Sequence, residues 1–82
     1  MIENFEEKIN IELLKFNNSE EISEIIIRGE ESNKNKGIII HYIDNKNVDY
    51  KKICEDIKNY KLQDVQNYLT KNGVIYNIVD FL

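Results

Sequence analysis

Two runs of three isoleucines constrain this chain more than any other feature of its sequence. They occupy residues 25–27 and 38–40 and flank a polar segment rich in Gly, Glu, Asn and Lys. Isoleucine is β-branched and stiff at χ1, so both runs favour strands over helices. The pattern predicts an antiparallel hairpin with strands near residues 22–29 and 37–43. Its loop over residues 30–36 is expected to be exposed and mobile.

Consecutive isoleucines also predict what surrounds the hairpin. Neighbouring side chains of a strand point to opposite faces, so three in a row place apolar groups on both faces. We therefore expect part of the hairpin to be sandwiched, with a helix or a further strand on each side. Gly29 and Gly37 bracket the loop and are expected to accept unusual backbone angles at its ends.

The segment before the hairpin fits two structures. Its apolar residues recur at spacings of three and four, which favours a helix over residues 5–15 that is capped by Asn4. Ile9, Ile11 and Leu13 also alternate, and this alternation favours a strand over residues 8–16. We predict the helix, and Asn17-Asn18 should end the element in either case.

Two helices and a last strand are predicted after the hairpin. The polar residues 44–47 form a turn, and Asp44, Asn45 and Asn47 are candidate caps for the helix that follows. An amphipathic pattern predicts that first helix over residues 50–60.

The apolar stripe then shifts, which indicates a break at Lys61 or Leu62 and a second helix to about Lys71. Asn72-Gly73 should stop that helix. The apolar residues 74–82 predict a final strand beside the hairpin.

These elements predict a single α+β domain over residues 1–82. Their order is α-β-β-α-α-β, with the helices packed on an antiparallel or mixed sheet. A chain of 82 residues has room for one small core and none for a deep active-site cleft with its supporting shell.

Composition indicates a cytoplasmic protein of a bacterial cell. Cys54 is the single cysteine, so no intramolecular disulfide forms and a reducing compartment is expected. The acidic N-terminal residues do not resemble a signal peptide, and no apolar run approaches the ~18 residues of a membrane span. Abundant Ile, Asn and Lys without Ala or Pro indicate A/T-rich codons, as in a bacterium of low G+C content or its phage.

Candidate catalytic and metal-binding groups lack companions. His41 is the single histidine and lies on a predicted strand, whereas Cys54 lies on the apolar stripe of a predicted helix. Nucleophilic catalysis by a Cys-His pair needs both groups within ~3 Å and a third group to orient the imidazole. Paired glutamates are adjacent in sequence and so point apart. We predict no enzymatic activity, no metal and no cofactor.

Charge is distributed unevenly along the chain. Residues 1–31 hold nine glutamates and three basic residues, a net charge of −6, whereas five acids and five lysines balance from residue 49 onwards. Direct binding of nucleic acid requires net cationic contact, which this chain lacks. The simpler interpretation is that the excess of negative charge keeps the protein soluble.

The sharper interpretation is an acidic surface for a basic protein partner. Its predicted residues are the hairpin glutamates Glu20, Glu21, Glu24, Glu30 and Glu31, extended by Glu3, Glu6 and Glu7.

The chain resembles the small phage anti-CRISPR proteins that inhibit Cas9. The resemblance covers the layout of residues 4–60: a short, acidic, A/T-biased chain in which an opening helix is followed by the segment EISEIIIR at residues 21–28. It implies a non-enzymatic inhibitor that mimics DNA and blocks a basic nucleic-acid-binding site on a CRISPR effector.

The terminal strand departs from that layout, and Lys34 and Lys36 reduce the acidity of the hairpin tip. Two other functions stay open. One is an immunity protein or antitoxin that neutralises a cationic toxin, and the other is a structural homo-oligomer joined through an unpaired strand edge.

Overall fold

The computed structural model describes residues 9–32 and 34–80. In this part of the chain, four strands form one antiparallel sheet in the order in which they occur along the sequence. Two helices pack on one face of that sheet. The elements are β1 (Asn10–Lys15), β2 (Ile22–Glu31), β3 (Lys34–His41), a 3₁₀ turn (Tyr42–Asp44), α1 (Tyr50–Ile57), α2 (Leu62–Lys71) and β4 (Asn77–Asp80).

The α+β class fits, but the predicted order with a helix first is wrong. Residues 10–15, within the predicted helix, form β1, which pairs antiparallel with β2 along its whole length. A single short helix is marginal in water, whereas a strand added beside β2 gains a full ladder of backbone hydrogen bonds. As a strand, this segment also places Ile9 and Ile11 against the core. The predicted cap, Asn4, lies outside the described residues.

The hairpin has a much shorter connection than predicted. Strand pairing extends to Glu31↔Lys34, so the connection is residues 32–33 and the long loop over 30–36 is wrong. Ser32 has a φ of 57°, as the two-residue turns that match strand twist require. The polar residues extend the ladder beyond the core, since backbone pairing needs no apolar side chain.

Gly29 has a different role from the predicted one. It lies inside β2 rather than at a loop end, and Gly73 is the glycine with a positive φ in the described chain. A Cβ at Gly29 would lie 3.2 Å from Ile9 and 3.4 Å from Leu62. Gly29 therefore leaves room chiefly for the Ile9 side chain, whereas Leu62 of α2 would be at ordinary contact distance.

The core lies between the two central strands and the helices. Ile25 and Ile27 of β2 face α1 and α2 together with Ile38 and Ile40 of β3, and all four are fully buried. Full burial of one such side chain stabilises the fold by ~1.5–3 kcal/mol. The other buried apolar residues are Ile9, Ile53, Ile57, Leu62, Val65, Leu69 and Val74.

The expected sandwich is not complete. Ile26 and Ile39 lie opposite each other and point to the other face of the sheet. No helix or strand of the described chain covers that face, and both side chains are partly exposed. The isoleucine triplets thus supply one buried face and one face that is open to solvent.

The rear half of the chain follows the prediction closely. As predicted, the helical segment is interrupted, here between Ile57 and Leu62. Gly73 follows the end of α2 with a φ of 72°. The N-cap of α1 is Asp49, whose carboxylate accepts a hydrogen bond from the Lys52 backbone at 3.2 Å. The final strand is shorter than residues 74–82: it starts at residue 77 and is described to residue 80.

Asn45, a predicted helix cap, instead joins two distant segments. It is 5% exposed and is the buried polar residue of the described chain. Its Nδ2 donates to the carbonyls of His41 at 3.0 Å and Ile75 at 2.9 Å, and its Oδ1 accepts from the Ile75 N–H at 2.8 Å. The side chain thus acts like a strand residue that links the end of β3 to the segment leading into β4.

Replacing Asn45 by Ala should lower the free energy of unfolding by about 2–3 kcal/mol, because three part-buried hydrogen bonds to the backbones of Ile75 and His41 are lost. Asn45→Asp should destabilise at least as much, since a carboxylate would face two carbonyl oxygens. Urea unfolding followed by circular dichroism measures both. Exposed Asn67 on α2 is the control, and Asn67→Ala should leave stability nearly unchanged. Stabilities of both Asn45 variants within about 0.5 kcal/mol of wild type would contradict this role.

Tyr68 links the two helices through its hydroxyl, which should lose its proton only at high pH. Its hydroxyl donates to the Asp56 carboxylate at 2.6 Å, and this hydrogen bond raises the pKa of Tyr68 to about 12. The folded protein then keeps a proton that the unfolded chain releases near its ordinary pKa of about 10. The free energy of unfolding should therefore fall as the pH rises from about 10 to about 12.

Ultraviolet absorbance of tyrosinate measures this titration, and Asp56→Asn provides the comparison. In that variant the pKa of Tyr68 should return towards its ordinary value, because the carboxylate charge is gone. Burial also raises the pKa of Tyr50, which lies away from Asp56 and should keep its late titration. An unchanged titration curve in Asp56→Asn would show that the interhelical hydrogen bond does not form in solution.

Candidate functional site

The uncovered face of the sheet is the first candidate site. We call it the open face, and it consists of the even-numbered residues of β1, residues 24, 26, 28 and 30 of β2, and the odd-numbered residues of β3 and β4. The pairing register places these residues on one side, opposite the buried isoleucines.

Apolar residues occupy the middle of the open face. One row across the four strands runs Glu12, Ile26, Ile39 and Asn77, so two isoleucines are flanked by polar residues at the edge strands. Leu14 and Val79 add apolar surface in the adjacent rows. All four apolar side chains are partly exposed.

Charged residues surround this apolar middle. Nδ1 of His41 lies 3.0 Å from Oε2 of Glu24, and the Arg28 guanidinium lies 4.0 Å from the Glu12 carboxylate. Glu30 is exposed towards the hairpin tip. With a neutral histidine, three carboxylates and one guanidinium give the open face a net charge of −2.

The predicted acidic residues do not form one patch. Glu24 and Glu30 lie on the open face, whereas Glu20 and Glu21 lie at the other end of β2, in the connection from β1. At ~3.3 Å per residue, the two ends of β2 are about 30 Å apart.

Lys15 offsets the charge of one predicted acid. Nζ of Lys15 donates to Glu20 at 2.8 Å, and this hydrogen bond with its positive charge holds the pKa of Glu20 below its ordinary value. Glu31 is the last residue of β2, and its backbone lies opposite that of Lys34. The predicted extension at Glu3, Glu6 and Glu7 lies outside the described residues.

A depression at the start of β2, away from the hairpin tip, is the second candidate site. We call it the tyrosine pocket; its volume is about 370 Å³, and residues 20–22, Tyr42 and residues 48–51 line it. The rings of Tyr42 and Tyr50 lie 6.3 Å apart, and Phe16 contacts Tyr42 edge-on at 5.7 Å. Sequence analysis missed this cluster, because its aromatic residues come from three separate segments and share no periodicity.

Local hydrogen bonds hold the walls of the tyrosine pocket. The Phe16 N–H donates to the Glu21 carbonyl at 3.0 Å, and the Ser19 hydroxyl accepts from the Glu21 N–H at 2.9 Å. Asn18 adopts a φ of 55°, which asparagine tolerates well, so the chain reverses tightly here. On the other wall, the Tyr50 hydroxyl donates to the Asn45 carbonyl at 3.3 Å.

His41 and Cys54 cannot act together. His41 lies on the open face, whereas Cys54 packs against the core from α1 on the opposite side of the sheet. Burial raises the pKa of the Cys54 thiol, which reduces its thiolate fraction at neutral pH. Among residues 9–32 and 34–80, no three His, Cys, Asp or Glu side chains are grouped so that they could hold a metal ion.

Comparison with protein-family models, with curated proteins and with solved structures finds no match to the chain. Neither described helix has the length or the apolar run that crossing a membrane requires.

The Cys54 thiol should react slowly in the folded protein, because it is partly buried and its pKa is raised. Reaction with a chromogenic disulfide at neutral pH measures the rate. Labelling should be severalfold slower in buffer than in urea, where the same thiol is exposed with an ordinary pKa. Faster labelling of the folded protein than of the unfolded chain would mean that the site activates the thiol, which would favour an enzymatic role.

Proposed function

We propose that the chain is a non-enzymatic binding protein that docks its open face on a basic, nucleic-acid-binding surface of another protein and inhibits that protein. The observation that carries the proposal is the composition of this face: partly exposed isoleucines in the middle and three carboxylates around them. An uncovered sheet face of this kind is typical of interaction surfaces, in which an apolar centre is surrounded by polar residues.

The two parts of the open face contribute differently to binding. Ile26 and Ile39 are only partly buried, so a partner that covers them removes apolar area from water. Glu12, Glu24 and Glu30 attract a cationic partner over a distance and mainly raise the association rate. A basic partner fits both parts, since an acidic one would be repelled by the net charge of −2.

A CRISPR effector of the Cas9 type is the partner that we propose. Such effectors hold their nucleic acid in a positively charged channel, which an acidic protein of this size can enter or cover. The resemblance to small anti-CRISPR proteins supports this choice of partner, although the first element among the described residues is β1 rather than a helix.

DNA binding by a Cas9–guide RNA complex tests the proposal. Fluorescence anisotropy of labelled target DNA is measured with increasing amounts of the protein, at low and at physiological salt. The wild-type protein should displace the DNA, and higher salt should weaken its inhibition. Failure of the wild type to displace the DNA would overturn the proposed partner.

Two triple variants with equal net charge locate the surface. Glu12→Gln, Glu24→Gln and Glu30→Gln together should weaken inhibition about tenfold or more, since they remove every carboxylate of the open face. The matched control removes three carboxylates from elsewhere on the surface: Glu55→Gln, Asp64→Asn and Asp80→Asn. Equal inhibition by the two triple variants would show that net charge matters and that the open face does not.

A further inference from the structure

The tyrosine pocket is a separate surface from the open face, since the two share no residue. Its position is set by the start of β2, the 3₁₀ turn and the start of α1. Its volume of about 370 Å³ lies at the lower end of the range for ligand sites, which suits a single side chain or a small group better than a cofactor.

Aromatic rings make the wall of the pocket and are held in place. The Tyr42 ring lies next to the rings of Phe16 and Tyr50, at interplanar angles of 89° and 50°. Tyr50 is anchored through its hydroxyl to the backbone of Asn45. The faces of aromatic rings carry negative charge density, which attracts cations.

Carboxylates outnumber cations at the rim. Glu20, Glu21 and Asp49 line the pocket together with Lys51. Glu20 is already paired with Lys15, and one oxygen of Asp49 caps α1. In the described part of the chain, Glu21 forms no ion pair, and Asp49 also lines the pocket. These two groups leave a net negative charge after Lys51 is counted.

The chemistry of the wall and rim selects the ligand. An anionic ligand would be repelled by the carboxylates. An uncharged apolar group would remove water from the carboxylates without giving them a hydrogen-bond partner. A guanidinium is flat, weakly hydrated and able to stack on an aromatic ring while it donates to carboxylates. We propose that the tyrosine pocket binds an arginine side chain of a partner protein, stacked on Tyr42 and hydrogen-bonded to Glu21 or Asp49.

Short peptides test this site on the full chain. The probe is a blocked tripeptide with a central arginine, and the comparison is the same peptide with citrulline, which keeps the shape and loses the charge. Two-dimensional NMR of the ¹⁵N-labelled protein should show arginine-dependent shifts at Glu21, Tyr42 and Tyr50, with a dissociation constant on the order of millimolar. Equal shifts from the citrulline peptide, or shifts confined to other residues, would overturn the proposal.

Variants separate this site from a general charge effect. Tyr42→Leu and Glu21→Gln should each weaken arginine binding about threefold or more. Glu21 is exposed, so its variant should keep the fold even if Tyr42→Leu does not. Glu55→Gln removes a carboxylate from α1 outside the pocket and should leave the affinity unchanged. Unchanged affinity in Glu21→Gln and Tyr42→Leu would also overturn the proposal.

The open-face triple variant distinguishes the two proposals. It changes no residue of the tyrosine pocket, so arginine binding should persist in it whether or not the protein inhibits a CRISPR effector. Loss of arginine binding in that triple variant would place the site on the open face instead. A lysine peptide that binds as tightly as the arginine peptide would contradict the preference for a guanidinium.

Discussion

The pairing of β2 with β3 is the constraint on which the rest of the structure depends. Its register sets Ile25 opposite Ile40 and Ile27 opposite Ile38, so four fully buried side chains form two adjacent rows on one face. A slip by one residue would move these side chains to the opposite face. The helices therefore pack on the face that these isoleucines make apolar. The pairing register of the hairpin determines which face that is.

Short helices then determine what the sheet leaves exposed. α1 and α2 have eight and ten residues and cover the two central strands. Leu13 on β1 and Ile78 on β4 point to the same face but are 44% and 48% exposed, because they lie at the edges of this cover. The second face has no cover among the described residues, because both described helices pack on the first face.

The sequence predicted correctly the elements that a local pattern determines. The predictions were wrong where tertiary contacts determine the secondary structure. The helical spacing of residues 50–71 and the stop at Gly73 are local, and both helices and the break between them were predicted. β1 was not, because its apolar residues fit two periodicities and only the neighbouring β2 favours the strand. The long loop was wrong for a similar reason, since polar residues gave no sign that backbone pairing continues to Glu31 and Lys34.

The positions of charges on the candidate surfaces could not be predicted from sequence either. Counting glutamates along the chain identified the acidic first third, but a strand spaces its residues over ~3.3 Å each and alternates their direction. Glu20 and Glu30 therefore lie at opposite ends of β2. The strand and its connection also bring Lys15 next to Glu20 and His41 next to Glu24.

The tyrosine pocket was invisible to this counting, because Phe16, Tyr42 and Tyr50 meet only after the sheet has formed. A charge pattern indicates that a chain has acidic surface to offer. The strand register decides which carboxylates lie beside the partly exposed apolar side chains of the open face.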